Sequence, residues 1–203
     1  MTMQTQAKTR IQQKNRAVIL DAALEVFAQR GFRGSTLDQI AAEAGLSKPN
    51  VLYYFPSKEA IHATLLSGLM DSWLAPLRTL DPNGNPVEEL MSYVHRKLDM
   101  SRDLPRESRL FANEILQGAP HTLDGLKTDL KDLVDDKAKL IQIWIDSGRL
   151  RPIDPVHLIF SIWSLTQHYA DFDVQVRAVL GRDDPFPEAR EHLETLFRRI
   201  LTP

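Results

Sequence analysis

Six histidines, His62, His95, His121, His157, His168 and His192, are the first residues to be asked for chemistry, in a chain that has no cysteine. A helical zinc site needs two histidines about a turn apart with a catalytic glutamate beside them, and no pair here has that spacing. His168 with Asp171 has the spacing of a general-base pair, and more simply reads as a hydrogen bond on a helix surface or in a pocket. No glycine-rich phosphate loop or nucleophile elbow accompanies it. Neither a catalytic residue, a metal site nor a cofactor is therefore expected. Other residues suit recognition better. Lys48 can donate to guanine acceptors and Asn50 can pair bidentately with adenine. Thr36, Ser47, Tyr53, Tyr54 and Lys58 bring hydroxyls and an ammonium into the same short stretch, and such groups hold phosphates. Further on, Gln167 lies one helical turn beyond Trp163, so both can face one cavity. With Trp73 as a second flat wall and Lys97 as a second donor, Gln167 meets the needs of a planar ring carrying a cyclic imide. Core packing is the commoner use of tryptophan and solvation the commoner state of lysine, so both readings of these four residues stand.

The elements that must position these residues read as helices throughout, because apolar residues recur at helical spacing and no stretch alternates in the manner of a strand. A first helix over about residues 15–30 buries Ile19, Ala22, Ala23, Val26 and Phe27, and Gly31 can take the positive φ that ends it. Thr36 and Gln39 form a capping box that opens a short helix reaching Ala44. After Gly45, Ser47 caps another short helix running to about Tyr54, with Pro49 tolerated in its first turn. Pro56 stops that helix, and Ser57 caps a longer one through Ile61, Leu65, Leu69, Trp73 and Leu77 that Pro76 kinks or ends. A loop over residues 81–86 follows, then helices over about 87–102, 106–117 and 123–147. Asp154 and Pro155 open a long helix reaching about Leu180. The last helix carries Phe186, Ala189, Leu193, Leu196 and Ile200 as a seam suited to a second helix, and together with the helix over 154–180 it is taken as the dimer interface.

At 43% hydrophobic and 26% charged, composition matches an ordinary globular protein rather than a disordered or membrane one. Absence of cysteine excludes a disulfide framework and fits a reducing, cytoplasmic setting. The polar segment 1–14 lacks the apolar middle of a secretory signal and reads as a flexible arm. Net charge is −2, yet the segment ending at His62 holds 8 Lys and Arg against 5 Asp and Glu, so a mildly basic head precedes an acidic body. Chance fluctuation of a solvated surface accounts for that asymmetry about as well. A constitutive DNA-packaging protein would be basic overall, which a pI of 6.3 excludes.

Two short helices joined through Gly45, with a third before them, make a helix-turn-helix whose second short helix enters the major groove. Residues 36–47 (TLDQIAAEAGLS) and 53–59 (YYFPSKE) resemble the DNA-binding signature of the TetR family across roughly residues 19–66. The resemblance implies an all-α protein with a helix-turn-helix domain at 15–58 and an effector-binding and dimerisation domain at 59–203. It further implies a homodimer that binds a palindromic double-stranded operator, most often as a repressor, and leaves it when a small molecule fills the second domain. Leu52 departs from the pattern, standing where many members carry a DNA-contacting tyrosine. Residues 52–60, 73–77, 101–103, 108–111, 152–155 and 167–172 resemble a pyrimidine-utilisation regulator of the same family, which implies uracil or thymine as effector. A different, more hydrophobic effector is the alternative, and a small helical enzyme using His168 and Asp171 the distant one.

Overall fold

The computed structural model describes residues 3–203, with side chains described from Arg10 onward. Among these residues every regular element is a helix, and none is long and apolar enough to cross a membrane. The chain forms two compact units: the residues up to Leu69 together with Arg109–His121, and Met70–Ser108 together with Thr122–Pro203.

In the first unit, α1 (Met3–Arg30) precedes α2 (Leu37–Glu43) and α3 (Lys48–Tyr54), and α4 (Lys58–Arg78) begins there. No glycine or proline interrupts residues 3–30, so the helix extends through most of the segment read as an arm, whose first two residues lie outside the described ones. Ile19, Ala23, Phe27, Ile40, Val51, Phe55 and Ile61 bury a common core. The two units meet within α4, after Leu69, and α4 runs unbroken through that point. Pro76 sits inside α4, which ends two residues later. Its carbonyl accepts from Arg96 at 3.0 Å.

The second unit contains α5 (Pro86–Asp103), capped by Asn85, and the start of α6 (Pro105–Leu116). There follow a turn α7 (Leu123–Gly125), a π-helical segment Leu126–Leu130, and α8 (Lys131–Asp146). Next come α9 (Pro155–Asp171), α10 (Asp173–Leu180) and α11 (Phe186–Leu201). The single helix expected over 154–180 is broken at Phe172, whose φ and ψ of −114° and 28° leave the helical region. The Asp154 cap is present, accepting from the His157 N–H at 2.9 Å. Leu90, Tyr93, Val94, Leu98, Trp144, Leu158 and Ile162 share a core with Ala189, Leu193, Phe197 and Leu201 of α11. Ala189 and Leu193 of the α11 seam are therefore covered within the subunit, while Leu196 stays half-exposed outside this core. A stripe of apolar residues demands cover, and α5 supplies it without a second chain.

Candidate functional site

The helix-turn-helix is fixed by caps at every junction. Thr36 Oγ1 accepts from the Gln39 N–H at 3.2 Å while Gln39 Oε1 accepts from the Thr36 N–H at 2.9 Å, a closed capping box. At the far end of α2, Gly45 has a φ of +64°. Its N–H donates to Ala42 at 3.2 Å and the Leu46 N–H to Ala41 at 2.9 Å, the crossed pair of bonds of a Schellman ending. Ser47 then caps α3 by accepting from the Asn50 N–H at 3.4 Å. Val51 and Phe55 face the core, which leaves Lys48, Asn50, Leu52 and Tyr53 on the outer side of α3. Tyr53 is 71% exposed.

Several side chains read as DNA contacts have partners within the unit. Lys48 Nζ lies 2.9 Å from Asp38, tying α3 to α2. Asn15 donates to the Tyr54 hydroxyl at 2.9 Å and Gln12 to that of Tyr53 at 3.3 Å, so α1 holds both rings. Lys58 Nζ donates to the carbonyls of Phe32 and Ser35, both at 2.7 Å, and lies 4.2 Å from the Phe32 ring centroid. Two of its three ammonium donors thus tie Lys58 to the loop between α1 and α2. Carbonyls 23 and 26 residues away in the chain converge on it, and no local pattern encodes that.

In the second unit, Trp73 and Lys97 meet. Lys97 is 1% exposed, and its ammonium stands 4.6 Å from the Trp73 ring centroid. Burial lowers its pKa to about 7, with Asp171 opposing the shift. Trp73 Nε1 is also buried and finds no partner among the described residues. Trp163 donates through Nε1 to the Tyr93 hydroxyl at 2.6 Å and packs against the core. Gln167 is half-buried one turn further along α9. Asp171 accepts from the Ser108 hydroxyl at 2.5 Å, while His168 stacks on Phe172 at 5.0 Å, so each member of the supposed general-base pair is engaged elsewhere.

One cluster escaped the sequence. His62, Glu114 and His121 converge in the first unit, beside a cavity of about 190 Å³ that also touches Phe27, Phe32 and Arg33. Burial brings the His62 pKa down to about 4, so its ring is neutral. The residues are 52 and 7 positions apart, spacings that signal nothing before α4 and the end of α6 are brought together.

Residues 19–64 match the bacterial regulatory proteins of the tetR family, and residues 66–203 match the C-terminal region of YcdC-like proteins. The HTH-type transcriptional regulator RutR of Escherichia coli (strain K12) is 50% identical over 185 residues, covering 90% of this chain and 87% of that protein. Among solved structures, the transcriptional regulator SCO4942 from Streptomyces coelicolor shares 25% identity with a TM-score of 0.73, over 93% of this chain and 99% of its own. The ketosteroid transcriptional regulator KstR2 of Mycobacterium tuberculosis has the same fold, at 22% identity and a TM-score of 0.75 over 93% and 95% of the two chains. These relatives are regulators and not enzymes, in keeping with the dispersal of His168 and Asp171. The chain is a helix-turn-helix transcriptional regulator and belongs to the tetR family of bacterial regulatory proteins.

Proposed function

We propose that this regulator acts in the cytoplasm as a homodimeric repressor of pyrimidine metabolism, released from a palindromic operator when uracil or thymine binds its second unit. In this reading α3 of each subunit enters a major groove, where Lys48 and Asn50 face bases and Thr36, Ser47, Tyr53 and Tyr54 meet phosphates and sugars. Lys58 contributes by holding the loop that leads into the Thr36 cap. The observation that carries the effector reading is the pairing of a buried ammonium on Lys97 with a buried, unpartnered Trp73 N–H. Two donors withdrawn from water need acceptors, and the carbonyls of a cyclic imide supply two. Gln167 can then serve the ring N–H, and Trp163 the ring face. Support also comes from the likeness to RutR, which is 50% identical over 185 residues, since resembling segments at 73–77, 101–103, 152–155 and 167–172 lie in the same unit.

Coupling follows from α4, which carries Lys58 near one end and Trp73 near the other as one continuous helix. A ligand that prefers one spacing of the two recognition helices changes operator affinity by that preference. The test is calorimetry with uracil on the wild type and Gln167→Leu, paired with operator titrations with and without uracil. The substitution keeps volume while deleting both hydrogen bonds, which costs about 1–3 kcal/mol, or roughly 5- to 150-fold in affinity. Unchanged affinity in Gln167→Leu refutes the site. Failure of the wild type to bind uracil or thymine, with stabilisation by a more apolar ligand instead, refutes the effector.

A further inference from the structure

We infer that His62, Glu114 and His121 form a binding site for one divalent transition-metal ion, zinc by preference, that clamps the end of α6 to the start of α4 within the first unit. One ligand atom from each residue lies within 4.8 Å of the other two. The Nδ1 atom of His121 is already 3.1 Å from Glu114 Oε2, close to the roughly 3.3 Å that separates neighbouring ligands in a tetrahedral zinc site with bonds of about 2.0–2.1 Å. His62 is 2% exposed, and its Nδ1 is buried without a hydrogen-bond partner. A core histidine ordinarily satisfies both ring nitrogens, so an orphaned one beside a carboxylate and a second imidazole points to a missing Lewis acid.

The surroundings hold two of the three ligands in place. Phe27 and Phe32 pack on the His62 ring at 5.1 and 4.5 Å between centroids. Glu114 is buried, and its Oε1 accepts from the His121 backbone N–H at 2.6 Å. That bond anchors the loop and sets Oε2 against His121 Nδ1 at 3.1 Å, so the two present their ligand atoms side by side. His121 is the adjustable ligand: its side chain retains a quarter of its exposure, and it follows Gly118 and Ala119, whose φ values of 88° and 56° turn the chain back toward Glu114. The two imidazole rings are 4.9 Å apart between centroids, and bringing ligand atoms that lie within 4.8 Å of one another to about 3.3 Å needs a shift of about an ångström or two. Two neutral imidazoles and a carboxylate suit zinc, cobalt(II) or iron(II) and not magnesium or calcium, which demand more oxygen ligands. The adjoining cavity leaves room for water in the fourth position.

The full-length protein, stripped with a chelator and dialysed, is titrated with zinc sulfate by calorimetry and with cobalt(II) by visible absorption. The expected result is one zinc per chain, a raised Tm, and a cobalt(II) spectrum of a four-coordinate site with nitrogen ligands. His121→Ala removes an exposed ligand and leaves the fold intact. It should weaken zinc by more than about 100-fold, the upper range for losing even an outer-shell partner. Glu43→Gln, an exposed carboxylate on α2, should change nothing. The inference is overturned if the wild type binds no zinc, if His121→Ala binds it equally well, or if cobalt(II) shows only an octahedral oxygen environment.

Discussion

Lys97 has exchanged water for the ring of Trp73 at 4.6 Å and the opposing charge of Asp171, and its pKa falls from 10.5 to about 7. Between those two values the unfolded chain holds a proton that the native chain does not, so stability rises with pH across the window. Below pH 7 both states are charged and the whole cost of burying the ammonium is present. At 1.36 kcal/mol per unit that cost is at most about 5 kcal/mol. Lys97→Met keeps the length and removes the charge. It should therefore raise stability at pH 6 by about 1–3 kcal/mol, in the range seen when buried charges are replaced by apolar groups. The gain should vanish by about pH 10.5, because the wild-type amine is neutral in both states there. Urea denaturation at the two pH values measures it, and a variant less stable than wild type at pH 6 sinks the argument. If Lys97 serves the proposed effector site, the same variant should also lose uracil affinity. At this scale the sequence was legible where partners are near in the chain. Gln39 announces the Thr36 cap from three residues away, whereas the partners of Lys58 and His62 emerge only after folding.

Among the elements, the turn between α2 and α3 shows how much one backbone angle carries. Gly45 sits at φ +64°, and nothing lies within 4 Å of where a Cβ would stand. Gly45→Ala thus isolates the left-handed penalty from any clash. The expected loss is about 1–2 kcal/mol, read by urea denaturation, with the recognition helix unmoved. A cost near zero would mean that the turn relaxes to another conformation, and operator affinity would fall with it. Helix starts and stops were legible wherever capping residues, glycine or proline mark them, as at Ser47, Asn85 to Pro86 and Asp154 to Pro155. They were not legible at Phe172, where α9 breaks between two aspartates with neither glycine nor proline. The π-helical turn at Leu126–Leu130 has no local signal either.

For the whole molecule the question is which apolar surface meets a second subunit. Leu193 of the α11 seam does not test it, because that residue is buried in its own subunit and Leu193→Glu would place a charge in the core, whereas Leu196 stays half-exposed. Periodicity shows that a helix face must be covered and is silent on which chain covers it. The large apolar residues left uncovered on α9 and α10 are Phe160, Leu165, Phe172, Val174, Val179 and Leu180. A patch of that kind fits a two-fold interface, in which each subunit offers the same surface to the other. Phe160 is 46% exposed and Val179 78% exposed, so glutamate at both positions leaves each subunit's core untouched. Phe160→Glu with Val179→Glu should keep helix content and Tm near wild type while light scattering reports monomers. Repulsion acts twice in a two-fold interface, because each new charge meets a low-dielectric surface carrying the same charges. Operator affinity should then fall by about 10²- to 10⁴-fold, the contribution of tethering two recognition helices, while binding to an isolated half-site is unchanged. A dimer that survives both substitutions would place the interface on another face of the second unit, and a loss of half-site binding would show that the variant had damaged the helix-turn-helix instead.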